Sequence, residues 1–158
     1  MYKRQGANQV LQFTFDSTTG KLTPNQPAAV SPDAGHGPRH MIFSPNSKNL
    51  YVLNELSGHV TQYAIDAGKG TLTLVDSVDS VPKEAGLAWG TAQAPVGASP
   101  APAAAKDDKP KVWAADIQIT PNGKFLYSTE RTTSKIALFT VAADTGKLAY
   151  VLSLIHIS

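Results

Sequence analysis

Cysteine is absent from the 158 residues. That excludes a disulfide framework and a thiolate metal centre, and is compatible with a reducing compartment. Charge of one sign is lacking too: 14 basic residues stand against 12 acidic ones, so the chain does not carry the positive field that nucleic acid or an anionic membrane surface demands. No run is long and apolar enough to span a bilayer, and no stretch carries a convincing helical stripe. The motifs G-x-S-x-G, H-E-x-x-H, the P-loop and G-x-G-x-x-G are all missing, which removes the serine-hydrolase, zincin and nucleotide-binding readings. What is present is a hydrophobic fraction of 42%, the composition of a soluble globular protein.

The two ends differ in patterning from what lies between them. Met1-Tyr2-Lys3-Arg4-Gln5 and Leu152-Ser153-Leu154-Ile155-His156-Ile157-Ser158 read as translations of opposite strands of one short DNA, which resembles a transposon mosaic end used in sequencing libraries. Residues 1–5 and 152–158 are therefore expected to be adapter-encoded and to stand outside the fold. Setting Lys3 and Arg4 aside leaves 12 basic against 12 acidic residues.

Between the ends the chain repeats itself. Val10-Leu11-Gln12-Phe13-Thr14-Phe15-Asp16 returns as Val60-Thr61-Gln62-Tyr63-Ala64-Ile65-Asp66, an offset of 50. Phe43-Ser44-Pro45-Asn46-Ser47-Lys48-Asn49-Leu50-Tyr51 returns as Ile119-Thr120-Pro121-Asn122-Gly123-Lys124-Phe125-Leu126-Tyr127, an offset of 76. A period near 50 marks a propeller, solenoid or array. Within the complete copy, alternating β-branched and aromatic runs predict strands near His40 to Phe43, Asn49 to Asn54, His59 to Ile65 and Leu72 to Val78, with turn chemistry between them. Four antiparallel strands per unit make one propeller blade. The expected fold is thus all-β, a β-propeller fragment: over residues 6–151, the outer strands of one blade, one full blade and most of a third. Tyr51, Tyr63, Tyr127 and Phe139 recur at matched strand positions and are expected in the core.

The jump in offset comes from a low-complexity insertion over about residues 83–111, rich in Ala and Pro and then charged. Such a segment buries too little apolar surface to order itself, and is expected to be a loop. Trp89 and Trp113 flank it and are expected to pack its ends onto the blade, with stacking on a substrate as the alternative. His36 and His59 are expected in loops.

In a four-stranded blade, residues just before the first strand and just after the second share one face. Arg39 and His40 hold the first kind of position, Asn54 and Glu55 the second. The offset of 76 adds Asp116, Glu130 and Arg131 from the next blade. Charged residues gathered at the mouth of a central channel suggest an anionic ligand and a polar reaction. Each also has a structural alternative: an inter-blade ion pair between Glu55 and Arg131, a packed His40, a turn-capping Asp116.

Gly37-Pro38-Arg39-His40-Met41-Ile42-Phe43-Ser44-Pro45, Leu50-Tyr51-Val52-Leu53-Asn54-Glu55-Leu56 and Trp113-Ala114-Ala115-Asp116-Ile117-Gln118-Ile119-Thr120-Pro121 resemble the signature segments of the propeller lactonases, the bacterial 6-phosphogluconolactonases above all. The resemblance runs from about Gly6 to Val151, apart from the insertion. It implies a seven-bladed ring, a cytoplasmic location, and hydrolysis of a sugar-acid lactone, with 6-phosphogluconolactone as the expected substrate. Arg39, Glu55 and Arg131 match the family's catalytic positions, whereas a further functional histidine falls in a blade upstream of Val10. His40, Asn54, Asp116 and Glu130 are expected to contact substrate. No cofactor is expected, and no metal, because arginines interleaved with the carboxylates repel a cation. The expected partner is a small anionic lactone, with no nucleic acid or membrane, and the oligomeric state is left open. A lactonising cycloisomerase of the muconate type and a non-catalytic scaffold propeller remain as alternatives.

Overall fold

Period-two alternation becomes strands throughout the computed structural model, which describes residues 2–4 (backbone alone), 7–92 and 108–155. The strands are β1 (Tyr2–Arg4), β2 (Gln9–Phe15), β3 (Leu22–Val30), β4 (Pro38–Phe43), β5 (Asn49–Asn54), β6 (His59–Asp66), β7 (Thr71–Asp79), β8 (Ala114–Ile119), β9 (Phe125–Glu130), β10 (Lys135–Val141) and β11 (Leu148–Ile155). All pair antiparallel, in three sheets of order β1-β2-β3, β4-β5-β6-β7 and β8-β9-β10-β11. Among the described residues there is no α-helix, and no helix long and apolar enough to cross a membrane.

The four strands expected in the complete copy are all present, each within a few residues of its expected bounds. The turn repeat survives in detail. Asn46 Oδ1 accepts the Lys48 N–H at 3.1 Å and the Ser44 hydroxyl at 2.7 Å; Asn122 Oδ1 accepts the Lys124 N–H at 3.0 Å and the Thr120 hydroxyl at 2.7 Å. Ser47 (φ 56°) and Gly123 (φ 69°) hold the same left-handed position, one that glycine adopts without steric cost.

The outer sheets are fuller than the pattern implies, with three strands in the first and four in the third. Residues 2–4 pair with β2, and residues 152–155 continue β11 along β10. A ladder is made by backbone N–H and C=O groups, so it forms whatever DNA encodes the side chains.

Packing occurs between sheets. All six residues of β5 are buried, because the middle sheet is covered on both faces. Leu50 and Val52 join Val10, Tyr63 and Leu72 on one side; Tyr51 and Leu53 join Ile117, Leu126 and Phe139 on the other. Each such side chain contributes about 1.5–3 kcal/mol by leaving water. Tyr51 also donates its hydroxyl to Gly146 O at 2.7 Å across the seam, and burial pushes its phenol up to about 12. Tyr127, expected in the core, is instead 36% exposed. It occupies the Tyr51 position of the third sheet, whose far face has no sheet against it among the described residues.

The insertion is more firmly seated at its ends than its composition suggests. Ala88 accepts the Val112 N–H and donates to Pro110 O, and the Gly90 N–H reaches Leu56 O at 2.7 Å. Trp89 packs edge-on against His36 and His59, with ring centroids 5.0 and 5.7 Å away. His36 lies in a loop as expected and is buried, its Nδ1 3.1 Å from the Ser57 hydroxyl, whereas His59, expected in a loop, opens β6. Of the loop expected over about residues 83–111, residues 93–107 lie outside the described residues.

Candidate active site

Two backbone seams set the site. The Glu55 N–H donates to Gly37 O at 2.8 Å, and Glu55 O accepts the Ala114 N–H at 3.0 Å, so the residue after β5 is tied to the start of β4 and to the neighbouring sheet. One sheet along, the Arg131 N–H donates to Trp113 O at 3.1 Å. The rim of the second and third sheets is thereby locked in register before any side chain acts.

The side chains then converge. Glu55 Oε1 lies 3.3 Å from Arg39 Nε and also accepts from Arg131 Nη2, so two guanidiniums from adjacent sheets share one carboxylate oxygen. Glu55 is 11% exposed, Arg39 26% and Arg131 50%, which leaves Arg131 as the arm most able to reach a ligand. The trio carries one net positive charge. Desolvating such a cluster costs free energy that the mutual attraction largely offsets, so the trio adds little net stability.

Arg39 is braced from the third sheet. Its Nη1 donates to Ala115 O and lies 3.0 Å from His40 Nε2 and 3.3 Å from His40 Nδ1. A guanidinium only donates. In neutral His40, Nε2 is then the acceptor, and the Nδ1 proton is given to Asp116 Oδ1 at 3.0 Å. Burial acts to raise the Asp116 carboxyl, but hydrogen bonds from the Ile117 N–H, Gln118 and His40 outweigh it and hold the acid below its usual range.

The remaining expected residues turn inward. Asn54 is fully buried and donates to His59 O at 3.0 Å and to the Thr61 hydroxyl at 2.8 Å. Glu130, also buried, accepts the Trp113 N–H at 3.0 Å, the Thr132 N–H at 2.9 Å, and both the N–H and hydroxyl of Thr133 at 2.7 Å. Burial acts to raise its carboxyl, yet the bonds from Trp113, Thr133 and Thr132 prevail and depress it. Both residues shape the rim from beneath.

A cleft of about 460 Å³ opens beside the trio, lined by Glu55, Trp113, Arg131 and Thr132. Trp113, expected to pack the insertion's end onto the blade in preference to stacking on substrate, lines the cleft, and Thr132 was not a sequence candidate. Trp113 carried a signal, since it directly precedes the rim segment at the position matching Gly37; Thr132 carried none.

Comparison with known proteins bears on the family and the fold. The chain is 39% identical over 144 residues to a 6-phosphogluconolactonase of Serratia proteamaculans, covering 91% of this chain and 36% of that protein. It is 38% identical over 130 residues to a 6-phosphogluconolactonase of Pectobacterium carotovorum, covering 82% of this chain and 32% of that one. It thus spans about a third of the length of these curated relatives. Among solved structures, a periplasmic gluconolactonase of Pseudomonas aeruginosa superposes with a TM-score of 0.72 at 26% identity, over 97% of this chain and 36% of the other. The family described as lactonase, 7-bladed beta-propeller, matches residues 2–154. With its four-stranded antiparallel sheets and its arginine-carboxylate rim, the chain belongs to the seven-bladed propeller lactonase family.

Proposed function

We propose that this chain supplies part of the active site of a propeller that hydrolyses a sugar-acid lactone, with 6-phosphogluconolactone giving 6-phosphogluconate. One observation carries the reading: a nearly buried carboxylate held by two guanidiniums from neighbouring sheets, at the edge of an open cleft. In the reaction, water attacks the lactone carbonyl carbon and gives its proton to Glu55. The oxyanion that forms is stabilised by Arg131 and Arg39, fixed donors that need no reorganisation as charge develops. Collapse breaks the ring C–O bond, and the proton returns from Glu55 to the departing alkoxide. His40 and Asp116 hold Arg39 in place, while Asn54 and Glu130 hold the backbone beneath. The names of the relatives support hydrolysis and favour neither a cycloisomerase nor a scaffold. A cytoplasmic location belongs to the same proposal.

The test is Glu55→Gln in the complete propeller that carries this chain. Glutamine keeps the shape and one acceptor but removes the base, so turnover of 6-phosphogluconolactone falls by about 10²- to 10⁴-fold. Wild-type turnover with a lowered melting temperature would instead make Glu55 a structural partner of the arginines.

A further inference from the structure

Trp113 differs in setting from the buried and ring-packed aromatic residues of the chain. Tyr51, Tyr63 and Phe139 are wholly buried in the two cores, and Trp89 packs on His36 and His59. Trp113 belongs to neither core cluster, and among the described residues its ring has no aromatic neighbour. It is half-buried and lines the cleft. Among the described residues that line the cleft it is the only aromatic one, and the others present a carboxylate, a guanidinium and a hydroxyl.

The repeat itself does not require an aromatic here. Tyr63 and Phe139 answer one another at the offset of 76, as do Tyr51 and Tyr127, because the sheets pack alike. Trp113 answers to Gly37, where an added Cβ would lie only 2.6 Å from Leu56 Cγ. The fold therefore accepts no side chain at this rim position in one sheet and the largest one in the next. Its backbone is clamped at both ends: the N–H donates to Glu130 at 3.0 Å, and the carbonyl accepts both the N–H and Nε of Arg131, at 3.1 and 3.2 Å. The tryptophan and the arginine most able to reach a ligand are thus held as one unit.

We infer that Trp113 is a specificity-determining residue, whose indole forms a stacking platform for the apolar C–H face of a pyranose-type ring beside the arginines that meet the developing oxyanion. This rests on the lactonase reading and narrows it: the favoured substrates are six-membered sugar lactones bearing a negative charge, over small or open-chain esters. An indole buries a large apolar area against a flat ring at little entropic cost, whereas a charged cleft alone would bind any anion of the right size.

The experiment uses glucose 6-phosphate, a pyranose with an anionic arm and no lactone to hydrolyse, and inorganic phosphate as a ring-free probe. Both are titrated calorimetrically into the complete propeller as wild type, Trp113→Phe and Trp113→Leu. Loss of ring contact in Trp113→Leu weakens glucose 6-phosphate binding by about tenfold. Trp113→Phe stays within about threefold of wild type, and phosphate affinity is the same in all three. Equal losses for both probes, or equal glucose 6-phosphate affinity in Phe and Leu variants, would overturn the inference, since Trp113 would then only prop Arg131. Glu55→Gln separates the two readings, because it lowers turnover by about 10²- to 10⁴-fold and leaves glucose 6-phosphate binding dependent on Trp113. A wild type that binds glucose 6-phosphate through Trp113 but opens no lactone would refute the hydrolase and keep the platform.

Discussion

At the scale of single residues, the charged rim divides into groups that reach the cleft and groups that hold them there. Glu130 shows the division, because sequence position makes it look like a ligand contact and geometry makes it a brace. Four hydrogen bonds converge on its buried carboxylate from Trp113, Thr132 and Thr133. Its carboxyl is depressed below the ordinary value, so the stability it contributes is fully present above the unfolded-state pKa and is lost as pH falls through the folded one. Glu130→Gln turns an amide NH₂ toward N–H donors and leaves buried groups unpaired, at a cost of about 1–3 kcal/mol. The expected outcome is a lower melting temperature near neutrality, a gap from wild type that narrows toward pH 3, and a raised KM through misplaced Trp113 and Arg131. Melting curves across that range check it, and a gap independent of pH would show that the carboxylate is not the source.

Among elements, the insertion separates what composition reveals from what contacts decide. An Ala and Pro-rich run has no core pattern, and lengthening or shortening such a loop changes closure entropy by only about 0.6 kcal/mol per doubling. Yet Ala88, Trp89 and Gly90 are fastened to Val112, His36, His59 and Leu56. Replacing residues 93–107 by a short Gly-Ser link is therefore expected to leave the melting temperature within about 2 °C of wild type, whereas removing Gly86 to Asp108 lowers it by about 4 °C or more. Calorimetry of the two deletions decides this; equal melting temperatures would mean that the Trp89 contacts carry no stability. The sequence made the loop visible through its low complexity, but not its anchors, because an edge-on contact between Trp89 and two histidines far away in the chain leaves no periodic trace.

For the whole molecule, the consequence concerns the third sheet. Its exposed apolar residues include Phe125, Tyr127, Leu152 and Leu154, and the positions equivalent to Phe125 and Tyr127 in the middle sheet, Asn49 and Tyr51, are buried. Large uncovered apolar faces and free sheet edges recruit other chains. The 158-residue chain by itself is expected to self-associate at micromolar concentration and to show no lactonase activity, as measured by light scattering on a sizing column and by turnover. A monodisperse, active monomer would contradict both the packing account and the need for further blades.

The sequence by itself determined the strands, the blade unit and the rim, because each is written in local pattern: alternation gives the strand, Pro-Asn and Asn-Gly the turn, and the offset of 76 carries Glu55 to Arg131. The family was equally legible in three uninterrupted segments. Tertiary structure alone decided which rim residues face the cleft and which face inward, since Asn54 and Glu55 are neighbours in sequence yet one donates into its own sheet and the other pairs across two. It also decided that Tyr51 is core while Tyr127 is exposed, and that Trp113 stands in the cleft. A repeat specifies equivalent positions; burial depends on whether another sheet lies against them, and no period in the chain encodes that.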